Sequence, residues 1–198
     1  MNYSTILYSL LFYIYGAISL GYIATYLLTG KKLYECGTRN VGIANSFNTG
    51  GKVAGILAVI NEASKGILPI VISKYFLSAS YGEMLLFTYC SIVGTIFPVF
   101  TRFRGGKGRS SFSWALFLIS SYGFIISGGL WLITLMLTKN AVISYNLFLL
   151  SLIPILYFVT GKKEVLIFIT FIIPILYFTN KAERDDFAYY GILTGKEN

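Results

Sequence analysis

Residues 111–137, SFSWALFLISSYGFIISGGLWLITLML, determine how many times this chain crosses a bilayer. As one helix rising 1.5 Å per residue, the stretch would reach about 40 Å, beyond a hydrocarbon core of roughly 30 Å. Ser120-Ser121-Tyr122-Gly123 lies in its middle as a turn signal, and the run divides there into two segments. Working outward, further apolar runs occupy 5–28, 53–73, 84–100, 141–159 and 165–179, which brings the count to seven. Hydrophobic residues make up 56% of the chain and charged residues 12%, against about a quarter charged in a soluble domain, so the surplus apolar surface must face lipid. The expectation is an all-α polytopic membrane protein, with seven transmembrane helices in one bundle and residues 1–198 forming a single domain.

Charge supports the division at Ser120. Lysine and arginine collect in cytoplasmic loops. With seven segments, one face holds Lys31, Lys32, Arg39, Lys52, the cluster Arg102, Arg104, Lys107 and Arg109, then Lys139, Lys181, Arg184 and Lys196. The other holds Lys74, Lys162 and Lys163. A single helix over 111–137 would move Lys139 and the tail cations to the opposite face and dilute that bias. The amino terminus is therefore expected outside and the carboxyl terminus in the cytoplasm. No cation precedes the first run and no small-residue cleavage pattern follows it, so it reads as an anchor and not a removable signal peptide. The net charge of +8 fits this topology and anionic headgroups better than nucleic acid, which is not expected as a partner. Two cysteines, Cys36 and Cys90, argue against a disulfide framework or a thiolate metal cage, and the absence of histidine removes imidazole chemistry.

Two loops on the basic face share a chemistry. One runs from Cys36 through Asn40, Gly42 and Asn45 to Asn48-Thr49-Gly50-Gly51-Lys52, and the other is Arg102-Phe103-Arg104-Gly105-Gly106-Lys107-Gly108-Arg109. Each sets glycines and a lysine ahead of a helix amino terminus, where unpaired N–H groups and the helix dipole favour an anion. Glycine lets the backbone close round phosphate oxygens, and lysine adds a point charge. Neither Gly-Lys pair is followed by serine or threonine, so neither is a Walker loop. The plainer alternative, basic juxtamembrane turns that merely obey the positive-inside rule, stays open at this level. Within the second apolar run Glu62 and Lys65 stand i, i+3 on one helical face, where ionisable groups mark a site or a buried ion pair. Gly51 and Gly55 have the spacing that lets two helices approach closely.

Taken in order, these residues resemble the bacterial acyl-phosphate:glycerol-3-phosphate acyltransferases. Gly16-Ala17-Ile18-Ser19-Leu20-Gly21-Tyr22 is similar to that family's Gly-Ser-Ile-Pro-x-Gly-Tyr opening. Gly37-Thr38-Arg39-Asn40-Val41-Gly42-Ile43-Ala44-Asn45 is similar to its asparagine loop, and Glu62-Ala63-Ser64-Lys65-Gly66 to its Asp-x-x-Lys-Gly. The most specific stretch is Gly94-Thr95-Ile96-Phe97-Pro98-Val99-Phe100 with Phe103-Arg104-Gly105-Gly106-Lys107-Gly108, which resembles Gly-His-x-Phe-Pro-Val-Phe and Phe-Lys-Gly-Gly-Lys-Gly. Leu193-Thr194-Gly195-Lys196-Glu197 resembles the family's ending. The chain departs from the pattern at Thr95 (histidine), Glu62 (aspartate), Arg39 (glycine) and Asn48 (arginine), and at Asp185, Ala188 and Gly191, where the family has histidine, asparagine and arginine.

The resemblance implies a bacterial inner-membrane enzyme of phospholipid synthesis. It would move a fatty acyl group from acyl phosphate to glycerol 3-phosphate, giving lysophosphatidic acid, with no cofactor or metal and with membrane lipids as surroundings. Asn40, Gly42, Asn45, Arg104, Gly105, Gly106, Lys107 and Gly108 are then the expected phosphate-binding residues, and Ser144 a further candidate that also reads as a helix-end residue near Asn140. Glu62 and Lys65 would support that wall. The departures motivate a second expectation, a relative of altered or lost activity that binds phosphate or lipid as scaffold or regulator. A transporter for a small anion ranks last, because no repeat symmetry is visible.

Overall fold

The computed structural model describes residues 2–180, and within these the regular structure is helical. In chain order the helices are α1 (Tyr3–Ala17), α2 (Leu20–Thr29), α3 (Ile43–Tyr75), α4 (Tyr81–Ile96), α5 (Arg109–Ile119), α6 (Ser121–Thr138), α7 (Ala141–Thr160) and α8 (Lys163–Thr179), with a 3-10 turn at Val99–Thr101. All seven apolar segments are thus helical, the first being shared by α1 and α2. Five stretches, 3–29, 43–75, 81–101, 121–138 and 141–160, are long and apolar enough to cross a membrane. The 17 residues of α8 reach about 26 Å, and the 11 of α5 only about 16 Å, at 1.5 Å per residue. The chain divides into two compact units between Ala115 and Leu116.

In the first unit α1 and α4 run parallel, tied at both ends. Ser80 and Glu83 form a capping box at the start of α4, and the Thr5 hydroxyl donates to Glu83 Oε1 at 2.6 Å. At the far end Thr95 Oγ1 donates to the Gly16 carbonyl at 3.3 Å and the Ser91 carbonyl at 3.1 Å. Between the ties Phe12 stacks on Phe87 at 5.4 Å. The backbones touch because Gly16 and Gly94 carry no Cβ: one on Gly16 would land on the Ser91 carbonyl, and one on Gly94 on the Tyr13 carbonyl.

The first apolar run is not one helix, as its composition had suggested. It breaks at Ile18 and Ser19, where Ser19 caps α2 by accepting from Tyr22 N–H at 3.2 Å. A break inside a membrane needs partners for its freed backbone groups. Buried Asn61 of α3 supplies one, accepting from Leu20 N–H at 3.0 Å.

A second difference concerns residues 43–50, read as loop, which are helical. They end at Gly51, whose φ of 78° and ψ of −173° bend α3 into a short entry helix and a long one. Gly51 and Gly55 accordingly do not mediate helix contact: Gly51 makes the bend, and Gly55 clears room for the ring of Phe47.

In the second unit α7 packs against α6 and α8. Leu152 and Leu156 of α7, with Ile172 and Leu176 of α8, are completely buried. Ser120, the residue at which the long apolar run was divided, caps α6 by accepting from Gly123 N–H at 3.2 Å. Asn140 caps α7, its Oδ1 accepting from Val142 and Ile143 N–H at 3.0 and 3.1 Å. Asn180 closes α8 onto α7, donating to Val142 O and Asn146 Oδ1.

Candidate active site

The two glycine-bearing loops meet in the first unit. Val41 N–H donates to the Gly105 carbonyl at 3.4 Å. A Cβ on Gly106 would lie against the Val41 carbonyl, so the two loops run in backbone contact there. Gly105 is equally confined, since a Cβ would strike the carbonyls of Thr95 and Ile96 and the ring of Pro98. Only glycine fits both positions.

The asparagine loop is shaped from within. Asn45, on the short helix before Gly51, is completely buried and points its amide nitrogen at the carbonyls of Leu33, Cys36 and Asn40, at 3.0, 3.0 and 2.9 Å. One side chain thereby gathers three turns of loop backbone, and its Oδ1 accepts from Thr49 at 3.2 Å. Gly42 serves as N-cap of α3 and its carbonyl accepts from Ser46 N and Oγ. Asn40 and Thr38 are buried beside this scaffold, whereas Arg39 between them is exposed. Aspartate at position 45 would offer no donor and would set a carboxylate against three carbonyls. Asn45→Asp is therefore expected to destabilise the protein by about 2–3 kcal/mol, the cost of leaving buried polar groups unsatisfied. Thermal unfolding in detergent checks it, and an unchanged midpoint would show that the loop holds without Asn45.

The second loop sits on the end of α4. Gly106 N–H donates to the Thr95 carbonyl at 3.1 Å, and the Gly108 carbonyl accepts from Phe112 N–H at 2.9 Å, which starts α5 directly behind Lys107. Lys107 is only 6% exposed. Arg104 is exposed, with its guanidinium 5.9 Å from the centre of the Tyr34 ring.

Behind this wall lies the ion pair expected from the i, i+3 spacing. Lys65 Nζ lies 2.9 Å from Glu62 Oε1, and both residues are buried. The other carboxylate oxygen accepts from Ser111 Oγ at 2.7 Å, and Ser111 stands in the first turn of α5. The pair thus fixes the helix that follows the glycine loop. Gly66 permits this contact, because a Cβ there would meet the Ser111 carbonyl. No spacing in the sequence singles out Ser111; its role arises only from the approach of α5 to α3.

The remaining candidates fall elsewhere. Ser144 belongs to the second unit, buried in the first turn of α7, with its hydroxyl donating to the Asn140 carbonyl at 2.8 Å and 3.1 Å from Thr138 Oγ1. Thr95, where the resembled family has histidine, faces α1 and has both its hydroxyl and its carbonyl bonded. Asn48 is exposed and folds back on the Ala44 carbonyl at 2.9 Å. The tail positions Asp185, Ala188, Gly191 and 193–197 lie outside the described residues. Among the described residues no cluster of three His, Cys, Asp or Glu could hold a metal ion.

Comparison with known proteins places the chain in a family. The family model described as glycerol-3-phosphate acyltransferase matches residues 6–185. A glycerol-3-phosphate acyltransferase of Thermotoga petrophila is 33% identical over 135 residues, spanning 68% of this chain and 68% of that protein. A glycerol-3-phosphate acyltransferase 1 of Dehalococcoides mccartyi is 31% identical over 145 residues, spanning 71% and 70%. The crystal structure of PlsY, an integral membrane glycerol 3-phosphate acyltransferase, in its glycerol 3-phosphate form superposes with a TM-score of 0.75 over 98% of this chain and 94% of that one, at 24% identity, and so shares the fold. With the match running through both glycine loops and the apolar helices on either side, the chain belongs to the glycerol-3-phosphate acyltransferase family of multi-pass membrane proteins.

Proposed function

We propose that this chain, a membrane glycerol-3-phosphate acyltransferase by family, takes its acyl group from acyl phosphate and gives it to the primary hydroxyl of glycerol 3-phosphate. The products are lysophosphatidic acid and phosphate. The observation that carries this reading is the backbone contact of Val41 with Gly105, which sets the asparagine loop and the buried Lys107 loop side by side. Lys107 with the backbone of Gly105 and Gly108 would hold one phosphate on a loop anchored through Gly106, Asn40, Gly42 and Asn45 would shape the neighbouring wall, and Arg104 would add charge at the mouth. Glu62 and Lys65, through Ser111, would hold the start of α5 in register.

Acyl phosphate is a mixed anhydride, so no enzyme nucleophile is needed. The hydroxyl oxygen bonds to the acyl carbon, the bond from that carbon to the phosphate oxygen breaks, and the hydroxyl proton leaves with the departing phosphate as hydrogen phosphate. The chain contains no histidine, so a proton acceptor carried by the substrate itself suits this sequence. Catalysis then rests on positioning two anions and on fixed charge at the leaving group. In the proposed topology the site opens on the cytoplasmic face of a bacterial inner membrane, with the amino terminus outside and the carboxyl terminus inside.

One observation favours a second reading. Thr95 spends its hydroxyl on helix packing, which suits a relative that keeps the fold and binds phosphorylated lipid as scaffold or regulator without turnover. The purified protein, given acyl phosphate and glycerol 3-phosphate, separates the two. Stoichiometric phosphate release and lysophosphatidic acid formation support the enzyme; saturable binding with neither product would establish the scaffold.

A further inference from the structure

Immediately before the phosphate loop the chain makes a tight turn that directs apolar side chains outward. Thr101 and Phe103 N–H both donate to the Pro98 carbonyl, at 3.3 and 2.9 Å, and Arg104 N–H donates to the Thr101 carbonyl at 3.1 Å. Thr101 Oγ1 closes the ring on the Arg104 carbonyl at 3.1 Å. In consequence Phe100 is 64% and Phe103 60% exposed, and Arg102 and Arg104 are exposed beside them. Arg102 and Phe103 adopt left-handed backbone, with φ of 54° and 62°. Two consecutive bulky residues in that region are unusual, because a Cβ crowds the following carbonyl there. A sequence that keeps them outward-facing against that penalty points to a use for the exposed rings.

Aromatic rings interleaved with cations do not suit the bilayer interior, where Arg102 would lose its hydration, nor water, where two phenyl rings would stand bare. They suit the headgroup layer, which takes apolar side chains into its acyl boundary while basic groups meet lipid phosphates. We propose that the 98–104 turn docks on the membrane surface, with Phe100 and Phe103 seated in the interface and Arg102 against the phosphates of anionic phospholipid. Gly105 follows the turn directly, so docking fixes the height of the Lys107 loop relative to the headgroups. The proposal does not depend on the chemistry of the reaction.

The test places Phe103→Trp in the full chain, reconstituted in phosphatidylcholine vesicles with and without phosphatidylglycerol, using lipids brominated either near the glycerol or near the chain ends. The signal added over that of Trp114 and Trp131 in the parent protein is followed. The expected result is blue-shifted emission, quenched by bromine near the glycerol and more strongly when phosphatidylglycerol is present. Arg102→Gln should weaken that anionic enhancement roughly fivefold, the weight of one cation at such a surface. Emission of water-exposed character without quenching would overturn the proposal and leave the turn free for a soluble partner. Quenching from the chain ends would overturn it by placing the ring in the hydrocarbon. Equal quenching in both lipids, unaltered by Arg102→Gln, would refute the anionic contact.

Discussion

Glu62→Ala is expected to cost about 3–5 kcal/mol of stability, the penalty for leaving a buried cation without its counter-ion. Lys65 is 1% exposed, and its ammonium meets Glu62 Oε1 at 2.9 Å on the same face of α3. Removing the carboxylate also deprives Ser111 of its acceptor at 2.7 Å, so the start of α5 loosens together with α3. Glu62→Gln should cost less, because its amide oxygen still accepts from Lys65 while its amide nitrogen can donate to Ser111 Oγ. The double replacement Glu62→Leu with Lys65→Met should recover much of the loss, since apolar pairs of similar volume often match buried ion pairs. Thermal unfolding in detergent across these variants provides the measurement. If Glu62→Ala alone melts within a degree or two of the parent, the ion pair has no structural weight and its support of the α5 start must be abandoned.

Lys107→Ala is expected to lower turnover by about a hundredfold to a thousandfold, the usual loss when one preorganised group facing a developing anion is removed. The position favours a large effect. Lys107 is almost wholly buried, flanked by Gly106 bonded to Thr95 and by Gly108 at the start of α5, so no neighbouring flexible cation can easily take its place. Lys107→Arg keeps the charge but not the size and should retain only part of the rate. Phosphate release from acyl phosphate, measured with and without glycerol 3-phosphate, reports the loss, and the melting temperature reports folding. Turnover within about threefold of the parent would remove Lys107 from the phosphate role.

The features legible in the sequence are those set by near neighbours along the chain. Hydropathy located the seven segments, and the turn signal at Ser120-Ser121-Tyr122-Gly123 placed the division of the long run where Ser120 is found to cap α6. The i, i+3 spacing of Glu62 and Lys65 predicted their contact, because helix geometry alone brings such side chains together. Where the reading fell short, the missing information was non-local. The break at Ser19 lies in an unbroken apolar run and is tolerable only because Asn61, more than forty residues on, satisfies Leu20 N–H. Residues 43–50 look like loop because they are polar, yet their polarity is turned inward, with Asn45 binding loop carbonyls. Among the glycines that allow helices to touch are Gly16, Gly21, Gly66 and Gly94, not the pair whose spacing suggested it, since close approach depends on what faces a residue.

The packing at Thr95 also limits what this position can become. An imidazole introduced there would have to evict the hydroxyl from two carbonyls and push α1 off α4 at the point where Gly16 and Gly94 let them touch. Overfilling such a seam typically costs about 1–3 kcal/mol before any catalytic benefit accrues. Thr95→His is therefore expected to impair the protein, and an imidazole could be seated at this seam only after the contact between the two helices was rebuilt.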